Sequence, residues 1–262
     1  MMNRLLTLAI LLISFNVQGQ TKRLDNKHFH VEYEAETEEY AIASLKVLDF
    51  VRDEAVKYGF LLPDKLNFSI IRSNRNTLYI DYKHLKGITW EYNSMTNFLP
   101  PSASGKKNVY GLCHELGHLC MYHIINNKNN WVTKEQSESW ADFFGNFMTD
   151  KLYQEFGDEL WIEPHNYTET AGMSSLQQRL QADKEKTELK KFNECCFYWW
   201  ELNEKIGFEN MSQLFKGIKN NNVSNPKAKE KYFNTLISFI DDKDKLQLWY
   251  NKYADYLIRN KK

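Results

Sequence analysis

The sequence predicts an α+β fold in which a small mixed sheet and one long helix come first and further helices follow. Three observations support this prediction. Segments in which apolar and polar residues alternate, as in strands, lie in the first third of the chain. Segments with apolar residues at helical spacing dominate from Val109 onward. The composition, 42% hydrophobic and 26% charged over 262 residues, provides apolar side chains for one large core or two small ones.

The first nineteen residues have the features of a cleaved signal peptide, assigned here to residues 1–19. Asn3-Arg4 forms a short positive region, residues 5–13 (LLTLAILLI) form an apolar run, and Val17-Gln18-Gly19 precedes the expected cleavage site. The apolar run is too short to span a bilayer stably, and no second long apolar run follows it. We therefore expect a soluble, exported protein, either secreted or periplasmic, without a membrane span after cleavage.

Four strands and one helix are expected in the first third of the mature chain. Residues 28–35 (HFHVEYEA) alternate apolar and polar side chains and predict a strand. Residues 37–58 have apolar side chains at helical spacing and predict a helix, for which Gly59 is a C-cap signal. Short segments at 66–71, 78–82 and 87–92 predict three further strands.

The remainder of the chain is predicted to be helical after a loop at residues 100–105. A helix is expected at 109–125, the Asn-rich residues 126–130 form a turn, and a second helix runs to about residue 153. Thr133 is the expected N-cap of that second helix, since Gln136 completes a capping box. Further helices are expected at 174–191, 191–206, 211–218, 228–239 and 246–258. These elements predict an N-terminal lobe at 20–155 and a helical C-terminal lobe at 156–262.

The balance of charge argues against nucleic-acid binding. The chain has 34 basic and 34 acidic residues, and its Lys-rich segments resemble an ordinary solvated surface. No nucleic-acid partner is therefore expected.

The segment CHELGH, at residues 113–118, contains the pattern His-Glu-x-x-His. Residues four apart lie on the same face of a helix, so His114 and His118 can bind one ion from adjacent turns. Glu115 is displaced around the helix, where it can reach a water molecule rather than the metal and act as a general base. A catalytic zinc site also needs a third protein ligand and one open position.

Glu138 is the predicted third ligand. The turn at 126–130 and the helix capped by Thr133 form a hairpin that can return Glu138, twenty residues after His118, to the two histidines. Asp142 lies one turn beyond Glu138 and can accept the free ring N–H of a zinc-bound histidine, with His114 as the expected partner. Glu135 is an alternative ligand, but it lies in the first turn, where the helix dipole favours Glu in any helix, and no Asp lies one turn beyond it.

The spacing from His114-Glu115-x-x-His118 to Glu138-x-x-x-Asp142 resembles the gluzincin zinc metallopeptidases, the thermolysin-like group, and within them the peptidase-MA-like proteins. The segments ESWADF at 138–143 and YWWEL at 198–202, the latter followed by Gly207-Phe208, are similar to motifs of that group. One departure is Ser139, where the group commonly has Gly, and another is the absence of a Pro before the second helix. The resemblance implies a zincin-like fold.

The resemblance also implies a mechanism and a substrate class. Zn²⁺ held by His114, His118 and Glu138 would activate a water for attack on a peptide or protein substrate, with Glu115 as general base. The group takes an oxyanion-stabilising Tyr or His from the C-terminal lobe, for which Tyr198 and Tyr167 are the candidates. It also holds extended substrate on an exposed edge strand, for which residues 87–92 are the expected counterpart. We interpret Glu91 in that strand as an ordinary strand carboxylate rather than a receptor for a substrate N-terminus.

Two other functions remain open from the residues alone. One is a secreted zinc-bearing binding protein of peptidase fold that no longer cleaves. The other is a structural domain in which the motif is fortuitous, and it predicts that His114, His118 and Glu138 lie far apart.

Residues outside the metal pattern have less specific interpretations. His123 is expected at the surface or in packing, and His165 is a loop residue that can approach the site. Trp131, Trp140 and Trp161 are interpreted as packing residues. Cys113 and Cys120 lie too far apart on one helix to bridge each other. Each is either a buried thiol or paired with one of the cysteines at 195 and 196.

Overall fold

The computed structural model describes residues 21–75, 77–92, 103–125, 134–157 and 199–219, together with the single residues 238, 244 and 247. The predicted signal peptide and the helices predicted at 174–191, 228–239 and 246–258 lie outside these ranges, apart from those single residues. None of the described helices is long and apolar enough to cross a membrane.

The described residues have an α+β arrangement, as predicted, with a mixed sheet of five strands. The strands are β1 (Thr21–Asp25), β2 (Phe29–Glu34), β3 (Leu66–Arg72), β4 (Thr77–Ile80) and β5 (Gly87–Tyr92). Their order in the sheet is β1-β2-β3-β5-β4. The two outer pairs are antiparallel, and β2, β3 and β5 run parallel to one another.

Four of the five strands occur where alternation predicts them, but β1 was not predicted. Its sequence, TKRLD, contains one apolar residue and therefore has no alternating pattern. All five of its residues pair with β2, which supplies the hydrogen bonds that form the strand.

The sheet has one buried face. In β2 the side chains of Phe29, Val31 and Tyr33 are buried, and in β5 those of Ile88, Trp90 and Tyr92 are buried, while the residues between them are at least partly exposed. This alternation is the reason that the strands could be recognised in the sequence. Helix α1 (Glu38–Lys57) follows the short 3₁₀ turn Ala35–Thr37 and contributes its apolar face to the same core.

Two long helices, α2 (Ala103–Ile125) and α3 (Lys134–Phe156), carry the predicted metal pattern. Helix α2 begins six residues earlier than the predicted start at residue 109, whereas α3 begins directly after the predicted cap Thr133. The helices run antiparallel, since His118 in the second half of α2 contacts Ser137 early in α3, whereas His114, one turn earlier on α2, contacts Asp142 further along α3. This is the hairpin that the sequence predicts.

Two glycines allow the helices to approach closely. A Cβ on Gly117 would lie 3.0 Å from the Phe144 side chain, and a Cβ on Gly145 would lie 3.1 Å from the His114 backbone nitrogen. Any larger residue at either position would therefore require the helices to separate or their neighbours to shift.

The described C-terminal residues pack on this hairpin. Residues 199–206 are helical, and after a 3₁₀ turn helix α4 (Met211–Lys219) follows. An aromatic cluster joins them to the N-terminal part, with Trp140 of α3 in contact with Phe60, Trp199, Phe208 and Phe215. Trp140 is fully buried, as its interpretation as a packing residue requires.

Candidate metal centre

The α2–α3 hairpin brings the three predicted ligands together. His114 Nε2 lies 3.2 Å from His118 Nε2, and Glu138 Oε2 lies 3.4 Å from the first nitrogen and 3.6 Å from the second. Among the described residues these three form a group whose ligand atoms all lie within 4.8 Å of one another. This arrangement does not agree with the alternative that the motif occurs by chance, which predicts that the three side chains lie far apart.

The separations fit a tetrahedral metal ion. Zinc bonds to imidazole nitrogen and carboxylate oxygen of about 2.0–2.2 Å place tetrahedral ligand atoms about 3.3–3.5 Å apart. The observed distances of 3.2, 3.4 and 3.6 Å bracket that value. Two imidazole nitrogens and one carboxylate oxygen are a donor set that zinc accepts, and three protein ligands leave the fourth position open.

Each histidine ring is oriented by a side chain of α3. His114 Nδ1 lies 2.9 Å from Asp142 Oδ1, the partner that the sequence predicts, and His118 Nδ1 lies 2.8 Å from Ser137 Oγ. With Nδ1 engaged in this way, Nε2 of each ring is the nitrogen directed toward Glu138. The role of Ser137 was missed, although its position directly before Glu138 on the same helix was a signal that could have identified it.

Two tyrosines of α2 extend these contacts. The Tyr110 hydroxyl donates to Asp142 Oδ1, and the Tyr122 hydroxyl interacts with the Ser137 side chain. Tyr110 lies one turn before His114, and Tyr122 lies one turn after His118. Each histidine therefore has an orienting partner on α3 that is itself held by a tyrosine from α2.

The charges in the cluster favour a cation at its centre. Hydrogen bonds from His114 and His118 hold the pKa of Glu138 far below its usual range. Burial acts to lower the pKa of His114, but the Asp142 and Glu138 carboxylates outweigh it and raise the value to about 10. Burial lowers the pKa of His118. The carboxylates thus attract positive charge to this point, and a metal ion would supply it while displacing the proton.

Glu115 lies beside the cluster and is not one of its ligands. Its side chain is buried, and burial raises its pKa to about 7 against the opposing influence of His114. The backbone N–H of Ile80 in β4 is directed at its carboxylate. This is the location expected for a base that reaches water rather than metal.

The prediction that residues 87–92 form an exposed edge strand was wrong. Strand β5 lies between β3 and β4 inside the sheet, and β4 is the edge nearest the candidate site. Periodicity identifies a strand but not its neighbours, so the order of strands could not be obtained from the alternation. Glu91 of β5 accepts hydrogen bonds from the Ser73 and Tyr79 hydroxyls, each at 3.0 Å, which agrees with its interpretation as an ordinary strand carboxylate.

The β4–β5 turn, residues 81–86, was not singled out in the sequence, yet it contacts His118, one of the three candidate ligands. The ring of Tyr82 lies 6.1 Å from the ring of His118, and His123 Nε2 lies 2.6 Å from the Leu85 carbonyl oxygen. His123 is partly buried at the end of α2 and packs against this turn, as its interpretation as a packing residue allows.

Several predicted residues lie outside the described ranges: Tyr198, Tyr167, His165, Thr133, Trp131, Trp161, Cys195 and Cys196. The side chain of Glu135 is also outside them. Cys113 and Cys120 are free, buried thiols, and burial raises the pKa of Cys113 to about 12. Of the two interpretations of these cysteines, the buried thiol is therefore correct for both.

Comparison with models of protein families and with curated proteins finds no match. The function of the site is therefore inferred from its own side chains.

Proposed function

We propose that this chain is an exported zinc-dependent peptidase of gluzincin type. The observation that carries the proposal is the convergence of His114 Nε2, His118 Nε2 and Glu138 Oε2 at separations suited to one tetrahedral ion. The zincin-like fold and the export of the protein are parts of the same proposal, supported by the motif spacing and by the signal-like residues 1–19.

Three side chains would bind the ion, and two others would position the histidine rings. His114, His118 and Glu138 would hold the ion, while Asp142 and Ser137 keep the imidazole rings directed at it. When bound, zinc supplies a Lewis acid that lowers the pKa of a water molecule and polarises the substrate carbonyl.

Glu115 carries out the proton transfer. It takes a proton from the water as the water oxygen bonds to the carbonyl carbon, and passes that proton to the nitrogen of the leaving amine when the C–N bond breaks. The products are a carboxyl group and an amine. The N–H of Ile80, directed at the carboxylate, restricts the orientation of Glu115 between these steps.

Strand β4 supplies a binding edge for an extended substrate. The Asp81 N–H bonds to the Gly87 carbonyl at 3.0 Å, and Ile80 pairs with Ile88 in an antiparallel register. Because alternate residues of an antiparallel strand direct their backbone groups to opposite sides, the N–H and C=O groups of Leu78 and the C=O group of Ile80 point away from β5 and can pair with a peptide, while the Ile80 N–H is directed at Glu115. Among the described strands none covers this edge, and a peptide that pairs with it would run past Glu115 and the proposed ligands.

The test combines metal analysis with cleavage of a peptide library by wild type and Glu115→Gln. We expect one zinc per chain in both proteins and a loss of hydrolysis of about 10²–10⁴-fold in the variant. Glu91→Gln is the matched control, because this carboxylate is held by Ser73 and Tyr79 on the other side of the sheet and should not affect cleavage.

Each contrary result has a distinct meaning. Wild-type protein without stoichiometric zinc would contradict the metal centre, and unchanged hydrolysis in Glu115→Gln would contradict the mechanism. Zinc-loaded wild type that cleaves no peptide would favour the binding protein of peptidase fold.

A further inference from the structure

The β4–β5 turn, residues 81–86, is held in one conformation by its own hydrogen bonds. The Asp81 carboxylate accepts from the backbone N–H groups of Lys83 and His84 at 3.1 and 3.2 Å. The Leu85 N–H bonds to the Asp81 carbonyl at 2.7 Å, and Leu85 has a φ of +54°, which few non-glycine residues adopt. Such a turn fixes the direction in which the Tyr82 side chain projects from the backbone.

The same turn is tied to the helix that carries the metal pattern. His123, near the end of α2, has Nε2 2.6 Å from the Leu85 carbonyl oxygen and can donate a hydrogen bond to it. The turn and α2 are therefore connected within two turns of helix from His118.

Tyr82 extends from this turn to the candidate centre. Its ring lies 5.9 Å from the Tyr122 ring in an edge-on contact and 6.1 Å from the His118 ring. The side chain is 47% exposed, so one side of the ring is accessible to a ligand.

The other tyrosines near the centre have partners that occupy their hydroxyls. Tyr110 donates to Asp142, and Tyr122 interacts with Ser137. Within the described part of the chain, no side chain or backbone group hydrogen-bonds to the Tyr82 hydroxyl. Of these three tyrosines near the centre, Tyr82 is therefore the one whose hydroxyl remains available to a bound ligand.

We propose that the Tyr82 hydroxyl donates a hydrogen bond to the oxyanion that develops on the carbonyl oxygen during attack by water. This assigns a catalytic residue to the turn that follows the edge strand, whereas the resemblance to the gluzincins implied a residue of the C-terminal lobe. The inference rests on the proposed zinc peptidase function. Donors preorganised toward a developing oxyanion are among the strongest contributions to acyl-transfer catalysis, and the phenol donates without changing its own protonation state.

The test replaces Tyr82 by Phe and measures anion binding as well as cleavage. Tyr82→Phe keeps the ring contacts with Tyr122 and His118 and removes only the hydroxyl. Protein loaded with Co²⁺, whose visible absorption reports on its ligands, is titrated with inorganic phosphate, a small tetrahedral oxyanion without side-chain preference. We expect phosphate affinity to fall about tenfold in the variant, as loss of a hydrogen bond to a charged group implies.

Cleavage gives a second, independent measurement. In zinc-loaded protein we expect kcat to fall about a hundredfold with little change in KM, because the hydrogen bond forms to the oxyanion rather than to the ground-state carbonyl. Tyr33→Phe is the matched control: it also removes one tyrosine hydroxyl, but from β2, where that hydroxyl donates to Glu38 away from the candidate centre. This control should change neither the phosphate affinity nor kcat.

The failures of the two proposals can be distinguished. Tyr82→Phe with wild-type phosphate affinity overturns the role of Tyr82 while the metal centre stands, and so does wild-type cobalt protein that binds no phosphate. Wild-type protein that takes up neither Co²⁺ nor Zn²⁺ overturns the proposed function, and the role of Tyr82 with it.

Discussion

At the scale of single residues, the candidate centre depends on side chains that do not touch the metal position. Asp142 and Ser137 orient the two imidazoles, and Tyr110 and Tyr122 hold these partners in turn. A histidine that is already oriented loses little rotational freedom when it binds an ion, and a carboxylate partner makes the imidazole a stronger ligand. The affinity for metal is therefore expected to depend on residues other than the three ligands.

Asp142→Asn should lower the affinity for zinc by about 10-fold or more, since the substitution keeps the shape of the side chain and removes its charge beside His114 Nδ1. Competition with a chromogenic chelator measures the dissociation constant. Asp150→Asn is the matched control, because it makes the same change two turns later on α3. Equal zinc affinities of Asp142→Asn and wild type would show that Asp142 has no orienting role.

At the scale of secondary-structure elements, the ligands converge because α2 and α3 cross at close range. The face of α3 that carries Glu138 and Asp142 points to the histidines, while Trp140 and Phe144 are buried. The Trp140 indole donates to the Gly117 carbonyl at 2.9 Å, which connects the two helices directly beside His118. Gly117 and Gly145 provide the space for this approach.

Gly145→Ala should disturb both the hairpin and the metal centre. The new Cβ would lie 3.1 Å from the Tyr110 ring and from the His114 backbone nitrogen, and backbone atoms of a helix cannot move aside independently. We expect destabilisation of about 1–3 kcal/mol, as in overpacked cores, together with weaker zinc binding. Urea unfolding and the chelator competition measure the two effects.

The control for this substitution is Gly111→Ala on the same helix as the histidines. There, among the described residues, the new Cβ would meet only the end of the Leu78 side chain, at 3.3 Å, which can rotate away. Stability and zinc affinity should remain close to those of wild type. A Gly145→Ala protein that behaves like Gly111→Ala would mean that close helix approach does not control the site.

At the scale of the whole molecule, one hydrophobic core positions the elements of the site. Buried side chains of the sheet, α1, α2, α3 and the described C-terminal residues belong to a single cluster. The candidate metal ligands lie at the edge of this core, with His118 nearly inaccessible and Glu138 partly exposed. An ion at this point would connect two long helices that the core already holds together, and metal binding should therefore stabilise the fold.

Zinc removal should lower the melting temperature of the whole protein. With free zinc at about 100 times its dissociation constant, the expected stabilisation is about 2.7 kcal/mol, or about 5–10 °C for a chain of this size. Thermal unfolding with added zinc and with a chelator measures this difference. His118→Ala should abolish it, whereas Glu115→Gln should retain it because Glu115 is not a ligand. A zinc-dependent shift that persists in His118→Ala would place the ion elsewhere.

Local patterns in the sequence predicted most of the described elements and selected the three candidate ligands whose side chains converge. Alternation identified four of the five strands, and helical spacing identified α1, α2 and α3. His114, His118, Glu138 and Asp142 could be selected because residues four apart share one face of a helix, and because a capped helix after a short turn returns along the preceding one. These relations depend on backbone geometry within single elements and on one connection.

Only the tertiary structure decided the order of the strands and the surroundings of the ligands. Strand β1 forms by pairing with β2, and the edge beside the site is β4 rather than β5. Ser137 and Tyr82 join the centre because α3 and the β4–β5 turn pack against α2. The physical reason is that strand order and side-chain convergence depend on burial and hydrogen bonds between residues distant in the chain, which periodicity within one segment does not encode.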